Sequence, residues 1–73
     1  MKKTIYSKEH QLLSRKLQQA RLECGLKQAE VAKKMDKTQS YISKIESGQR
    51  KIDVTQLKYF AKIYKKNLNF FIN

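Results

Sequence analysis

The sequence predicts an all-α fold, a compact domain of five short helices, and three observations carry that expectation. Proline is absent and glycine occurs only at Gly25 and Gly48, so the chain can turn sharply at few places, which suits helices joined by short connections. Apolar residues recur at helical spacing in successive segments. Residues able to cap a helix stand at Ser7, Thr38, Asp53 and Asn67, where four of those segments begin.

Residues 1–6 carry no helical pattern and read as a short N-terminal arm, followed by a single domain over 7–73. Ser7 caps the first helix, and Glu9 lies near its positive end. Leu13, Leu17, Ala20 and Cys24 then repeat at helical spacing until Gly25 supplies a left-handed stop, which predicts a helix over about 8–24. Ala29, Val31, Ala32 and Met35 mark a second helix from Gln28 to Met35. Asp36-Lys37-Thr38 makes a tight connection, because aspartate tolerates the left-handed region better than most residues. Thr38 caps a third helix from Gln39 to Ser47, which ends at Gly48. Two short helices joined by so few residues are the signature of a helix-turn-helix.

The fourth helix is announced by Asp53 as cap, Gln56 as the return half of a capping box, and Ile52 with Leu57 as a hydrophobic staple. Leu57, Phe60, Ala61 and Tyr64 form its inward stripe, and Lys65 and Lys66 sit at its negative end. Asn67 caps a last short helix carrying Leu68, Phe71 and Ile72.

Seventeen Lys and Arg against six Asp and Glu give a formal net charge of +11 over 73 residues. So strong a positive field attracts polyanions, nucleic acid or acidic membranes. Solubility alone is usually obtained with mixed charges at lower net values. A domain of this size buries only about 60% of its unfolded surface, and the 40% apolar content is adequate for that. No stretch approaches the roughly 20 apolar residues a membrane span requires. The basic N-terminus lacks a signal-peptide core, so a cytoplasmic location is expected. Cys24 is the sole cysteine and His10 the sole histidine. Intramolecular disulfides and multi-cysteine zinc sites are thereby excluded, and Cys24 reads as a small buried hydrophobe. No catalytic residues, cofactor, metal or small-molecule ligand are expected, and the chain does not read as an enzyme.

On a wheel of 100° per residue the third helix divides into two faces. Tyr41, Ile42, Ile45 and Glu46 lie on one side; Gln39, Ser40, Ser43, Lys44 and Ser47 lie on the other. The second face is either an ordinary solvated surface or a base-reading surface, since glutamine matches the paired donor and acceptor of adenine and lysine matches the acceptors of guanine. Its flanks favour base reading. Lys27 and Gln28 begin the second helix, where backbone N–H groups already attract phosphate. Gln49, Arg50 and Lys51 follow the third, and with Ser47 they are placed to hold neighbouring phosphates. Glu46 on the inward side is costly unless paired. It either meets Arg21 in a bidentate fork or lies solvated at the boundary.

The run Gln28-Ala29-Glu30-Val31-Ala32, followed by Thr38-Gln39-Ser40-Tyr41-Ile42-Ser43-Lys44-Ile45-Glu46-Ser47-Gly48, closely resembles the phage repressor (Cro/CI, or XRE-type) helix-turn-helix family. The resemblance runs from about Leu13 to Ile72. It implies a lambda-repressor-like five-helix globule that binds double-stranded DNA as a transcriptional regulator, usually as a homodimer on a palindromic operator. It further implies an Arg21–Glu46 pair, a phosphate contact at Gln28, and Gln39, Ser40 and Lys44 in the major groove. Two positions depart from the pattern. Lys27 stands where a side-chain cap is usual, and Asp36 where glycine is usual. The expected single-domain organisation resembles restriction–modification controllers, Cro-like repressors and some toxin–antitoxin antitoxins. An antitoxin or protein-bridging role, with a toxin or polymerase as partner, is therefore the alternative function. RNA is disfavoured because the aromatic residues fall on inward stripes instead of forming a stacking platform.

The C-terminal segment carries a last expectation. Leu68, Phe70, Phe71 and Ile72 are closely spaced, and Phe70 points about 100° away from Phe71 and about 160° from Leu68. An exposed aromatic cluster would then make Leu68, Phe70 and Phe71 a homodimer interface. The alternative is that Phe70 folds back over Tyr59 or Tyr64 to complete the core.

Overall fold

The computed structural model describes residues 8–72, and all its regular elements are helices: α1 (Lys8–Glu23), α2 (Gln28–Met35), α3 (Gln39–Glu46), α4 (Val54–Ile63) and α5 (Leu68–Ile72). The N-terminal arm and the Ser7 cap lie outside the described residues. Three helices stop one residue earlier than their apolar spacing predicts. Ser47 and Tyr64 keep near-helical backbone as the C-caps of α3 and α4, and Cys24 donates its own backbone N–H to Ala20 just past the end of α1.

The first four helices end in the same way. A residue with positive φ follows each one: Gly25 (φ 73°), Asp36 (58°), Gly48 (85°) and Lys65 (57°). The next N–H then reaches back five residues to close the end, from Leu26 to Arg21, Lys37 to Ala32, Gln49 to Lys44 and Lys66 to Ala61. A Cβ on Gly25 would meet nothing, and one on Gly48 only Ser14 Oγ at 3.8 Å. The left-handed backbone, not crowding, is therefore what favours glycine there. Lys65 in this conformation was not foreseen from sequence, because lysine carries no left-handed signal.

The helix starts follow their local chemistry. Thr38 Oγ1 accepts from Tyr41 N at 3.1 Å. Asp53 and Gln56 form both halves of a capping box, at 2.8 and 3.0 Å. Asn67 Oδ1 accepts from Asn69 N. Lys27 offers no acceptor to α2, so only the return half forms there, from Lys27 N to Glu30 Oε1 at 2.7 Å.

α2 and α3 pack against each other, α1 packs on α3 and α5, and α4 meets α5. Their shared core holds Leu17, Ala20, Val31, Ala32, Tyr41, Ile42, Ile45, Leu57, Phe60, Ala61, Tyr64 and Phe71. Ala29 is exposed, because it lies about 160° round the wheel from Val31 and about 120° from Met35. No described helix is long and apolar enough to cross a membrane.

The C-terminal helix leaves less open aromatic surface than the sequence predicts. Phe71 is only 3% exposed and belongs to the chain's own core, and Leu68 and Phe70 are half-buried against that core. Phe70 packs edge-on to Phe71, with ring centres 5.1 Å apart, and Lys66 Nζ covers it at 4.8 Å. Lys66 also pairs with Glu23 of α1 at 2.5 Å, so one lysine both shields the ring and ties the α4–α5 corner to α1. The apolar groups left open at this end are Ile72 and, across a groove on α1, Leu12.

Candidate nucleic-acid interface

Gln39, Ser40, Ser43, Lys44 and Ser47 are all exposed along one side of α3, while Tyr41, Ile42 and Ile45 are buried on the other. The amphipathic pattern puts the apolar side of α3 in the core, and the polar side must then face outward. The open side holds amide, hydroxyl and ammonium groups and no carboxylate. It can donate to base acceptors and accept from base amino groups.

A buried charge pair holds the last residue of that helix, Glu46. Arg21 Nε and Nη2 donate to Glu46 Oε2 and Oε1 at 2.6 and 3.0 Å, with side chains 9% and 4% exposed. Arg21 Nη1 donates to Leu26 O at 2.9 Å, fixing the α1–α2 connection as well. Hydrogen bonding to Glu46 raises the arginine's pKa against the opposing effect of burial. The network continues outward. Gln28 Nε2 donates to Glu46 Oε1 at 3.0 Å, and Gln39 Nε2 donates to Gln28 Oε1 at 3.4 Å. A run of contacts thus leads from the buried ion pair to the first residue of the open face. The Gln28 side chain, expected on a phosphate, is turned to Glu46 and Gln39. What α2 presents to an anion here is its N-terminal backbone.

On the other flank Tyr41 organises the cations. Arg50 stacks on its ring with 4.8 Å between guanidinium carbon and ring centre, and Lys37 Nζ stands 5.2 Å from the same ring. The Tyr41 hydroxyl accepts from Gln56 Nε2 at 2.5 Å. Gln56 therefore both completes the cap of α4 and anchors the ring that positions Arg50. Sequence reasoning placed Arg50 beside the phosphates but missed Lys37. The available signal was a tyrosine with a cation four residues before it, at the spacing that brings side chains together.

The end of α3 is also held. His10 Nε2 lies 3.0 Å from Gly48 O, joining the first turn of α1 to the α3 terminus. Ser47 Oγ donates to Lys44 O at 3.1 Å. Its proton is thereby committed within the helix, and it can donate to a phosphate only by giving up that bond. Lys27, Lys44, Gln49, Arg50 and Lys51 are exposed.

Cys24 and His10 serve separate parts of the fold, since Cys24 Sγ donates to Tyr64 O at 2.9 Å. Among the described residues no three His, Cys, Asp or Glu side chains gather as a metal site would require. A family model described as helix-turn-helix matches residues 17–71, from within α1 to within α5. The chain matches no curated protein.

Proposed function

The chain belongs to the helix-turn-helix family, DNA-binding transcriptional regulators of the XRE or Cro/CI type, and on that footing we propose that it reads a palindromic operator as a homodimer. Gln39, Ser40, Ser43 and Lys44 read base edges in the major groove. Lys27, Arg50, Lys51, Gln49 and the backbone at the start of α2 hold phosphates on either side. Lys37 joins Arg50 in that role.

The observation that carries this reading is the acid-free open face of α3, held from behind by the Arg21–Glu46–Gln28–Gln39 run. A base-reading helix must present its side chains in fixed geometry, because each bidentate base contact depends on angle as well as distance. The length of α3 supports the dimer. An eight-residue helix is about 12 Å long and spans three to four base pairs at about 3.4 Å each. Two copies set about 34 Å apart double that readout and require a two-fold symmetric site.

Selection of bound sequences from a random duplex pool tests both parts. A palindromic consensus with half-sites about one helical turn apart is expected. Absence of any enriched sequence would overturn specific recognition, and a single unrepeated half-site would overturn the dimer.

A further inference from the structure

The DNA-reading arrangement leaves most of one face of the molecule without a role. A groove of about 360 Å³ opens between the α2–α3 turn and α4, lined among others by Lys34, Met35, Lys37, Tyr41 and Tyr59. It continues past Tyr59 into a shallower depression bordered by Thr55, Lys58 and Lys62. None of the side chains of α3's open face lines either part, nor do Lys27, Gln28, Arg50 or Lys51. The outward side of α4 explains the surface. Val54, Thr55, Lys58, Tyr59 and Lys62 fall within about 140° of one another on the wheel, and all are exposed. Val54 is 62% and Tyr59 59% exposed, on a helix whose opposite side already fills the core with Leu57, Phe60 and Ala61.

Two features of the groove point to its occupant. Its floor is apolar, formed by Met35 and the rings of Tyr41 and Tyr59. Its rim carries Lys34, Lys37, Lys58 and Lys62, with Asp36 the one carboxylate among the lining residues. An apolar surface ringed by polar groups marks a contact site, and a ring of one charge selects the opposite charge. A phosphodiester backbone would meet the lysines but has no apolar group to cover Tyr59. A second copy of the chain would bring the same lysines against themselves in any two-fold pairing on this face.

We propose that this groove docks an acidic segment of a partner protein, with one aromatic or aliphatic side chain seated against Tyr59, while α3 is free to hold DNA. The apolar anchor supplies most of the affinity, and the lysine rim supplies attraction that weakens with salt. The proposal does not depend on the operator reading, because the two surfaces share none of the residues named for base or phosphate contact except Lys37.

The test uses the full chain and a short fluorescein-labelled peptide of alternating Asp and Glu with a central Leu-Phe pair, read by anisotropy. A counterpart with Ser-Ser at the centre and a random-sequence duplex are measured beside it. The Leu-Phe peptide should bind at least about tenfold more tightly than the Ser-Ser peptide. Tyr59→Glu should remove that difference and leave the melting temperature near that of the unaltered chain. Lys58→Ser with Lys62→Ser should weaken the peptide and flatten its salt dependence without disturbing the apolar floor. Equal binding of the two peptides overturns the proposal in favour of unspecific charge attraction. If Tyr59→Glu weakens the duplex as much as the peptide, the groove belongs to DNA. If Tyr59→Glu converts a dimer to a monomer in sedimentation, it belongs to a second copy.

Discussion

Glu46 accepts three hydrogen bonds, two from Arg21 and one from Gln28, in a setting that is almost closed to water. Removing its charge strands a guanidinium inside the protein, and breaking such a pair costs about 3–5 kcal/mol. Glu46→Gln should therefore lower unfolding free energy by about that amount in urea titration, whereas Arg21→Met combined with Glu46→Leu should recover part of the loss. An additive double variant would show that the charges act separately. Tyr64 poses the opposite case. Its ring is 1% exposed and its hydroxyl has no hydrogen-bond partner among the described residues. Burial, reinforced by the nearby Glu46 charge, pushes the phenol's pKa well above its ordinary value. The folded protein therefore binds the proton more tightly than the unfolded chain, whose tyrosines ionise near pH 10. The resulting stability is intact below about pH 10 and is lost progressively as pH rises beyond it. Tyr64→Phe should be neutral or up to about 1 kcal/mol stabilising at pH 8, and it should shed less stability than the unaltered chain on going to pH 11. Glu23 behaves in the usual carboxylate manner: hydrogen bonds from Lys66 and then Gln19 hold its pKa low. Its contribution is present at neutral pH and fades as acid titrates the group.

At the scale of the element, α3 and the helix ends make separable predictions. Lys44→Ala and Gln39→Ala should each relax discrimination at particular operator positions by about 1–3 kcal/mol. Lys27→Ala and Arg50→Ala should instead weaken all duplexes alike and lower the salt slope by about one. Competition binding against single-base operator variants at several salt concentrations distinguishes the two groups, and a uniform loss for Lys44→Ala would move that residue to the phosphates. The helix ends concern stability alone. Lys65 holds a left-handed backbone (φ 57°) without being glycine, and that conformation costs an ordinary residue about 1–2 kcal/mol. Glycine loses more entropy on folding, which offsets roughly 0.4–1 kcal/mol of the gain. Lys65→Gly should thus stabilise the fold by about 0.5–1 kcal/mol in thermal or urea unfolding. A destabilised variant would mean that the Lys65 side chain contributes more than its backbone costs.

For the molecule as a whole, the proposed homodimer needs a pairing surface. Phe71 is in the core and Phe70 is half covered by Lys66, so neither is the open aromatic anchor the C-terminal sequence predicts. The groove between α1 and α5, with Leu12 53% and Ile72 60% exposed, is the apolar surface left for pairing at that end. Leu12→Lys and Ile72→Lys should leave the melting curve little changed and should reduce operator affinity by shifting the chain toward monomer in sedimentation. A wild-type chain that stays monomeric at high micromolar concentration and on its operator would remove the dimer. The arrangement of charge follows the same division of surfaces. Glu46, Glu23, Glu30 and Asp53 are taken up by ion pairs or helix caps. The excess lysines therefore meet few open carboxylates on either the reading side or the α4 groove.

The five helices, the caps at Thr38, Asp53 and Asn67 and the two glycine stops were legible in the sequence, because they depend on interactions within a few residues: spacing of apolar groups, a side-chain oxygen at a helix start, a missing Cβ at its end. The division of α3 into a buried and an open side was legible for the same reason. Apart from the Arg21–Glu46 pair, which the sequence offered as one of two readings and the family resemblance implied, what lay beyond reach were contacts between residues distant along the chain. Gln28 could be placed at the start of α2, but only the packing of α2 on α3 decided that its amide would bridge Glu46 and Gln39. Arg50 could be placed after α3, but only the fold brought Gln56 to the Tyr41 hydroxyl and so fixed the ring on which Arg50 stacks. Phe70 and Phe71 were recognisable as apolar, yet which ring enters the core depends on how α5 docks against α1 and α4. A helical wheel gives angles about one axis and no information on the direction from which the rest of the protein approaches.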